Sequence, residues 1–471
     1  VIDSPMSTWP PELLRAFHMV KRKKPGHVIL EQRPLKLMIA ILRIKAKVHS
    51  RRFQALLPPG TYGCRQFAGY KGASAVGMMR FIQLTIWGGL RETGEVVAIL
   101  LDIAAAFDEV IQRAIHSIAE ALNKDLAVVV EEFLEAYQQI RAHVLTAYGL
   151  SAWYEQLGGI IQGGGLDPLF YVIYTIPLHK SVQHEQLGVC VQGLEKLHRI
   201  GTAGLVDDTV VLGGGIEEAQ ACLEKVRGVV HLGGQRANVD KFQALHLKKE
   251  GTKVVVVKSS FTWGSQKLKT KFAHTQIKLM GCNANPLGGW GIITANLRQW
   301  AARARTKLVA WPVSRGVALA VIDGLVVNRF VFRFLVNTPP EKLLDTVVSA
   351  ICKLYRVVFG LSPRTPRDAL FDVLQTNPPD KKMWVTTVVE MHKAFNSVNG
   401  DLRDIMWGQW HRCGALHHNP DLWRVKTRLK SMDMSFMRIK SPKQLDCWEI
   451  DQDLKKSCSH VYITGDASEG K

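Results

Sequence analysis

The residues best able to do chemistry are three aspartates. In VVAILLDIAAAFD (96–108) the apolar residues Val97 through Leu101 run straight into Asp102. That pattern predicts a buried strand ending in a carboxylate, with Gly94 as the turn before it. In GLVDDTVVL (204–212), Leu205 and Val206 precede Asp207 and Asp208 and apolar residues follow, so the acidic pair is expected at the bend of a hairpin. Adjacent carboxylates there repel each other and lose solvation, a cost tolerated when a cation offsets it. Three carboxylates on neighbouring strand ends suit two Mg²⁺ ions, hard cations that take oxygen ligands and clamp the attacking and leaving oxygens of a phosphoryl transfer.

The rest of the chain has to position and serve that cluster. Its 471 residues, 47% hydrophobic, leave room for two or three globular domains, since single cores stop growing near roughly 250–300 residues. The net charge is +20, from 61 Lys and Arg against 41 Asp and Glu, and residues 1–71 hold 14 basic and 3 acidic side chains, a net +11. Such an excess points to a polyanionic partner, nucleic acid before others. Eight cysteines without C-x-x-C spacing imply no disulfide framework and argue for a reducing compartment. His411, Cys413, His417 and His418 fit no standard zinc spacing and read as a polar loop. No signal peptide is read, and no apolar run reaches the ~20 residues that span a bilayer, so no membrane partner is expected. The chain opens on Val1 and stops at Lys471 just after a strand-like VYIT, so both ends are expected to be cut from something longer.

In chain order, KRKKPG (21–26) is a basic turn before a strand. Arg33-Pro34 then head an apolar-periodic helix over 35–56, studded with Arg43, Lys45, Lys47, Arg51 and Arg52, with one face for a core and another for phosphates. A glycine-rich stretch (69–77) containing Lys71 precedes a second helix to Arg91, and a helical block over 109–148 breaks near Lys124 and closes at Gly149. GGIIQGGGLDPLFYVIY (158–174) is a polar turn feeding an apolar helix. Its glycines let a backbone approach a ligand or base pair, and Gln162 offers both donor and acceptor. An amphipathic helix over 216–230 should pack under the hairpin, with Asn238 to Lys241 following in a turn and strand.

The order of these pieces carries a resemblance. LDIAAAFD, GIIQGGGLDPLFYVIY, LVDD and NVDK resemble the motif series of reverse transcriptases, nearest to those of non-LTR retrotransposons, which read LDxxxAFD, GxPQGSxLSPLLFNxY, YADD and NxxK. Upstream, KKPG…QRPLKL is similar to the finger motif KPGK…RPISL. Leu279-Met280-Gly281 is similar to the YLG of the primer grip, and FGLSPRTP (359–366) to the ILGxPRxTP segment after the thumb. The resemblance covers residues 21–366 and implies an α/β right-hand polymerase with a helical C-terminal connection. Fingers and palm would occupy 1–276, primer grip and thumb 277–337, and the connection 338–458. The start of a truncated ribonuclease H-like domain would occupy 459–471, where VYITGDAS puts Asp466 at that domain's first carboxylate.

On the same ground, Asp102, Asp207 and Asp208 would hold two Mg²⁺ ions, with Mn²⁺ as a substitute. Phe107 matches the aromatic steric gate, and Gln162 and Gly163 would lie along the template and incoming nucleotide. Lys241 matches a lysine that assists the pyrophosphate leaving group, although a lysine after a turn is as readily an ordinary surface residue. Arg33, Arg43, Lys47, Arg51 and Lys71 would meet nucleic acid, and Arg298 and Arg305, one heptad apart on a basic helix over 292–309, would track the duplex backbone. The expected function is RNA-directed DNA synthesis for a retroelement, with an RNA template, a DNA primer and deoxynucleotide triphosphates, in the nucleus or a cytoplasmic ribonucleoprotein. An RNA-dependent RNA polymerase shares the carboxylate layout, and a catalytically silent nucleic-acid-binding remnant is the reading from another class. The sequence departs from the family where Leu205-Val206 replace Tyr-Ala, Ile161 replaces Pro, Gly164 replaces Ser and Ala73 replaces an Arg. None of these removes a metal ligand; together they would mark a drifted copy with weakened activity.

Overall fold

The structure, a computed structural model, describes residues 15–21, 33–38, 40–57, 61, 65–70, 72–146, 149–155, 158–161, 165–268, 275–311, 313–337, 339–413 and 419–431. The chain begins with strands β1 (Arg15–Lys21) and β2 (Arg33–Met38), helices α1 (Ala40–Leu56) and α2 (Ala75–Glu92), strand β3 (Glu95–Leu101) and a short β4 (Ile103–Ala104). Next come α3 (Gln112–Leu122), α4 (Lys124–Gln139), β5 (Arg141–Thr146), β6 (Gly149–Leu150), β7 (Tyr154–Glu155) and α5 (Asp167–His184). Two hairpins follow, β8 (Val189–Gln192) with β9 (Leu197–Ile200) and β10 (Thr202–Leu205) with β11 (Asp208–Gly213). Beyond them lie α6 (Ile216–Leu232), β12 (Arg236–Ala237), β13 (Gln243–Glu250), β14 (Lys253–Val256), β15 (Phe261–Trp263), β16 (Gln266–Leu268), β17 (Lys278–Leu279) and β18 (Cys282–Asn283). The remainder is helical: α7 (Trp290–Ala310), α8 (Arg315–Val321), a π-helical turn (Ile322–Val327), α9 (Asn328–Phe334), α10 (Glu341–Val358), α11 (Arg367–Leu374), α12 (Pro379–Phe395), α13 (Gly400–Arg412) and α14 (Pro420–Ser431).

The sheet that matters for chemistry runs β10-β11-β3-β13-β14, every pair antiparallel. Its middle strand β3 is apolar at consecutive positions because both faces are covered, and side chains alternate across a strand. Val96, Ala98 and Leu100 pack into the core that contains α2, while Val97, Ile99 and Leu101 pack into another with α5 and α6. A second sheet joins β2, β1, β5, β6 and β7.

That second sheet corrects two expectations. The helix expected over 35–56 begins only at Ala40, because Arg33–Met38 pairs antiparallel with β1, Phe17 opposite Leu37. Proline drives the residue before it to extended backbone, and the alternation Leu35, Lys36, Leu37 satisfies a strand period as well as a helical one. The helical block expected to reach residue 148 stops at Gln139; Arg141–Thr146 runs parallel to β1 instead.

One core extends from Phe67 in front of α2 through α7, α9, α10, α12 and α13 to Val425 on α14, so the C-terminal helices are packed into the body that carries the sheet. Buried ions pin the same contact. Arg80 on α2, 1% exposed, reaches Asp421 of α14 at 3.1 Å and donates to the carbonyl of Leu335 at 2.8 Å. Arg65 meets Asp401 of α13 at 2.8 Å, and His198 lies between Asp401 (3.1 Å) and Asp404 (2.7 Å). Burial would raise the Asp401 carboxyl, but the hydrogen bond with His198 and the charges of Arg65, His198 and Lys196 outweigh it and leave it at about 2. Asp401→Asn is therefore expected to cost about 3 kcal/mol in thermal or denaturant unfolding, since a buried cation loses the charge facing it. Because the folded carboxyl lies below its ordinary value, that stabilisation is complete above about pH 4 and is lost as pH falls toward 2. A gap between the two proteins that persists undiminished at pH 2 would contradict this.

Candidate active site

Strand register brings the aspartates to one sheet end. Thr209 lies opposite Leu101 across β11 and β3, and Gln243 lies opposite Leu100 across β13 and β3. Carried past the strand ends, the two registers set Asp208 on one flank of Asp102 and Lys241 on the other. Lys241 Nζ sits 3.0 Å from Asp102 Oδ1, and the Asn238 amide donates to the Asp102 carbonyl at 2.8 Å, so the NVDK turn is fastened to the residue that carries the carboxylate. Burial first, then the charges of Asp207 and Asp102, push the Asp208 carboxyl up to about 6. Asp208 thus feels both of the other carboxylates, with Asp207 exposed and Asp208 half-buried. Among the described residues no three His, Cys, Asp or Glu side chains are gathered into a ready-made metal cage.

The hairpin turn has a guarantor that motif spacing does not reveal. Leu205 pairs with Asp208, leaving Val206 and Asp207 as a two-residue turn with Val206 at φ +58°. Two-residue hairpins need positive φ at the first turn position, yet a β-branched side chain disfavours it, so the neighbours must hold it there. Gln66 does so: its Oε1 accepts from the Val206 amide at 2.9 Å, while its Nε2 donates to the Val206 carbonyl at 3.2 Å and to Thr175 Oγ1 at 3.1 Å. The backbone around Gln66 also bridges Gly204, where an added Cβ would lie 2.8 Å from His179 Nε2. His179 is fully buried; burial, then the Arg65 charge, lowers it to about 3 and keeps the ring neutral beside Thr202.

Phe107 follows β4, its ring stacked on Tyr171 at 5.1 Å and 24°. The glycine-rich turn docks on its backbone. The Ile160 amide donates to the Phe107 carbonyl at 2.8 Å, and Gly159, at φ +69°, comes so near that a Cβ would lie 2.6 Å from the Asp108 carbonyl oxygen. Asp167, buried in the first turn of α5, accepts from the Ile161 amide at 2.8 Å and from the Tyr137 hydroxyl, while Gln235 donates to the Ala106 carbonyl at 3.0 Å. Gly159 and Asp167 lie inside the quoted motif and could have been singled out; Gln66 and Gln235 carry no local signal.

Gln162, Gly163 and Lys71 lie outside the described residues, as do His417, His418 and the expected ribonuclease H-like segment with Asp466. Arg33 is described in its backbone alone, on β2. Arg43, Lys47 and Arg51 form an exposed stripe along α1, but Lys45 is buried against Glu132 at 2.7 Å and is removed from the phosphate face. Arg298 and Arg305 line a groove of 440 Å³ between α7 and α10 together with Lys353. Among the described residues no helix is long and apolar enough to cross a membrane.

No family model and no curated protein matches the chain. Among solved structures it is similar to telomerase from Candida tropicalis in complex with the TWJ fragment of telomeric RNA, at 11% identity and a TM-score of 0.41, covering 94% of this chain and 64% of that one. Telomerase from Candida albicans, in complex with the same kind of fragment, is similar at 12% identity and a TM-score of 0.37, covering 84% and 66%. Apo telomerase from Candida tropicalis truncated from the C-terminal domain is similar at 13% identity and a TM-score of 0.36, covering 59% and 55%. The chain spans 55% to 66% of the length of these telomerase chains.

Proposed function

We propose that the chain is an RNA-directed DNA polymerase of retroelement type, a right-hand polymerase that joins deoxynucleotides to a DNA primer on an RNA template. The observation that carries this reading is that strand register sets Asp208 beside Asp102, with Asp207 next to it on the hairpin turn, Lys241 on the far flank and Phe107 on a turn just beyond. A set of oxygen donors, on a site where burial and like charge raise Asp208, would suit hard cations such as Mg²⁺ or Mn²⁺. Such ions supply Lewis-acid activation of the primer 3′-hydroxyl and of the triphosphate.

The remaining work belongs to the chain. Strands β3 and β11 set the carboxylates side by side, and Gln66 fixes the strained turn that separates an outward Asp207 from a half-buried Asp208. Asp102 would exchange its lysine partner for a cation, which frees Lys241 to meet charge developing on the leaving pyrophosphate. Phe107, backed by Tyr171, bounds the sugar. Primer extension on RNA and DNA templates, with both nucleotide types and with Mg²⁺ or Mn²⁺, tests the reading; no extension under any of these conditions favours the silent remnant.

Template binding is assigned to the α1 stripe. Replacing Arg43, Lys47 and Arg51 with alanine should reduce the slope of log affinity against log salt by about 2–3, since each phosphate contact contributes roughly 0.7–0.9. An unchanged slope would take α1 out of the template path.

A further inference from the structure

We propose that Arg303, Arg329 and Arg333 form a pocket for the backbone phosphates of a nucleic-acid strand, on the other side of α7 from the groove that holds Arg298 and Arg305. The inference deepens the proposed function and rests on it only in taking nucleic acid as the partner. The pocket has a volume of 220 Å³ and lies between α7 and α9, lined by Asn296, Gln299 and Trp300 as well as the three arginines. Residues 275–337 carry eight basic side chains against one acidic, Asp323. That aspartate is engaged elsewhere, by Tyr355 and Thr376. Among the described residues no carboxylate forms an ion pair with Arg303, Arg329 or Arg333.

Two features make this a built site rather than a solvated basic face. Arg329 lies over the Trp300 ring, its guanidinium carbon 4.4 Å from the centroid. A cation–π contact of that kind holds the planar fork in one orientation, so less freedom is lost when it grips a phosphate. Arg333, one turn along α9, is half-buried, and burial first, then the Arg329 charge, lower it below the ordinary arginine value. Two guanidinium groups lining one pocket, one of them partly desolvated, suit an anion, and a phosphate takes paired N–H donors from each. Asn296 and Gln299 add neutral donors and acceptors at the rim. The β17–β18 hairpin packs against α9 at the residue before Arg333: the Cys282 thiol contacts the Phe332 carbonyl at 3.3 Å, and Phe332 approaches Gly281.

The test uses the full chain, a fluorescein-labelled RNA–DNA duplex with a single-stranded RNA overhang, and anisotropy titrations at stepped salt without nucleotides. Arg329→Ala with Arg333→Ala should weaken binding about 10-fold or more and lower the salt slope by about 2, and Arg303→Ala should lower it by about 1. Arg303 is exposed, so its variant reads the pocket even if the double variant fails to fold. Slopes equal to wild type in Arg303→Ala and in a folded double variant would overturn the proposal. Calorimetry with inorganic pyrophosphate and with ATP separates the sources of phosphate. Loss of their binding in the double variant, with the strand's slope intact, would assign the pocket to a free polyphosphate and defeat the strand reading. Since no turnover is measured, a chain that binds in this way yet never extends a primer would refute the polymerase reading and leave the pocket standing.

Discussion

Asp207→Asn is expected to lower primer extension by about 10³-fold or more while duplex affinity stays within about two-fold. The substitution is nearly isosteric and falls on an exposed turn residue, so it should leave the hairpin's geometry in place. The Val206 backbone stays clasped by Gln66, and Asp208 stays paired in register with Leu205. What changes is the charge available to cations at the place where a triphosphate would arrive. A purely structural role for Asp207 would show the reverse pattern, with a lower melting temperature and proportional losses of binding and extension. Equal extension by variant and wild type would remove Asp207 from the catalytic set. A wild type without any extension, whichever metal is supplied, would make the aspartates a relic of chemistry the chain no longer performs.

The parts of this site that the sequence discloses are those set by local patterning. A strand covered on both faces must be apolar at consecutive positions, so a carboxylate ending such a run is conspicuous, and the acidic pair between apolar flanks marks its own turn. Residues recruited from afar leave no such trace. Gln66 acts on Val206 across 140 positions, through a bridge to Gly204 that only the folded chain brings together. Lys45 looks like one more cation on a basic helix until α4 brings Glu132 against it. The Arg303, Arg329 and Arg333 pocket is hidden for the same reason, since two of its arginines come from a helix separated from α7 by α8 and a π-helical turn. The strand at Arg33–Met38 was hidden differently: six residues hold too few periods to tell a helix from a strand.

Choice of sugar is expected to depend on Phe107. Its ring cannot easily swing away, because it is stacked on Tyr171 and half-buried against the core that contains α3, α4 and α5. A rigid apolar ring near the sugar clashes with a 2′-hydroxyl, whereas a polar side chain there could hydrogen-bond it. The neighbouring Asp108, exposed on the same turn, is the rival for that contact. Phe107→Ala should therefore admit ribonucleotides, lowering the ratio of kcat/KM for deoxynucleotides over ribonucleotides by about 100-fold while keeping much of the deoxynucleotide rate. Losing a half-buried ring also lowers stability, but both substrates are assayed on the same protein, so the folded fraction cancels from the ratio. A ratio unmoved by the substitution would make Phe107 a packing residue. A wild type that prefers ribonucleotides would instead identify the chain as an RNA-dependent RNA polymerase built on the same three carboxylates.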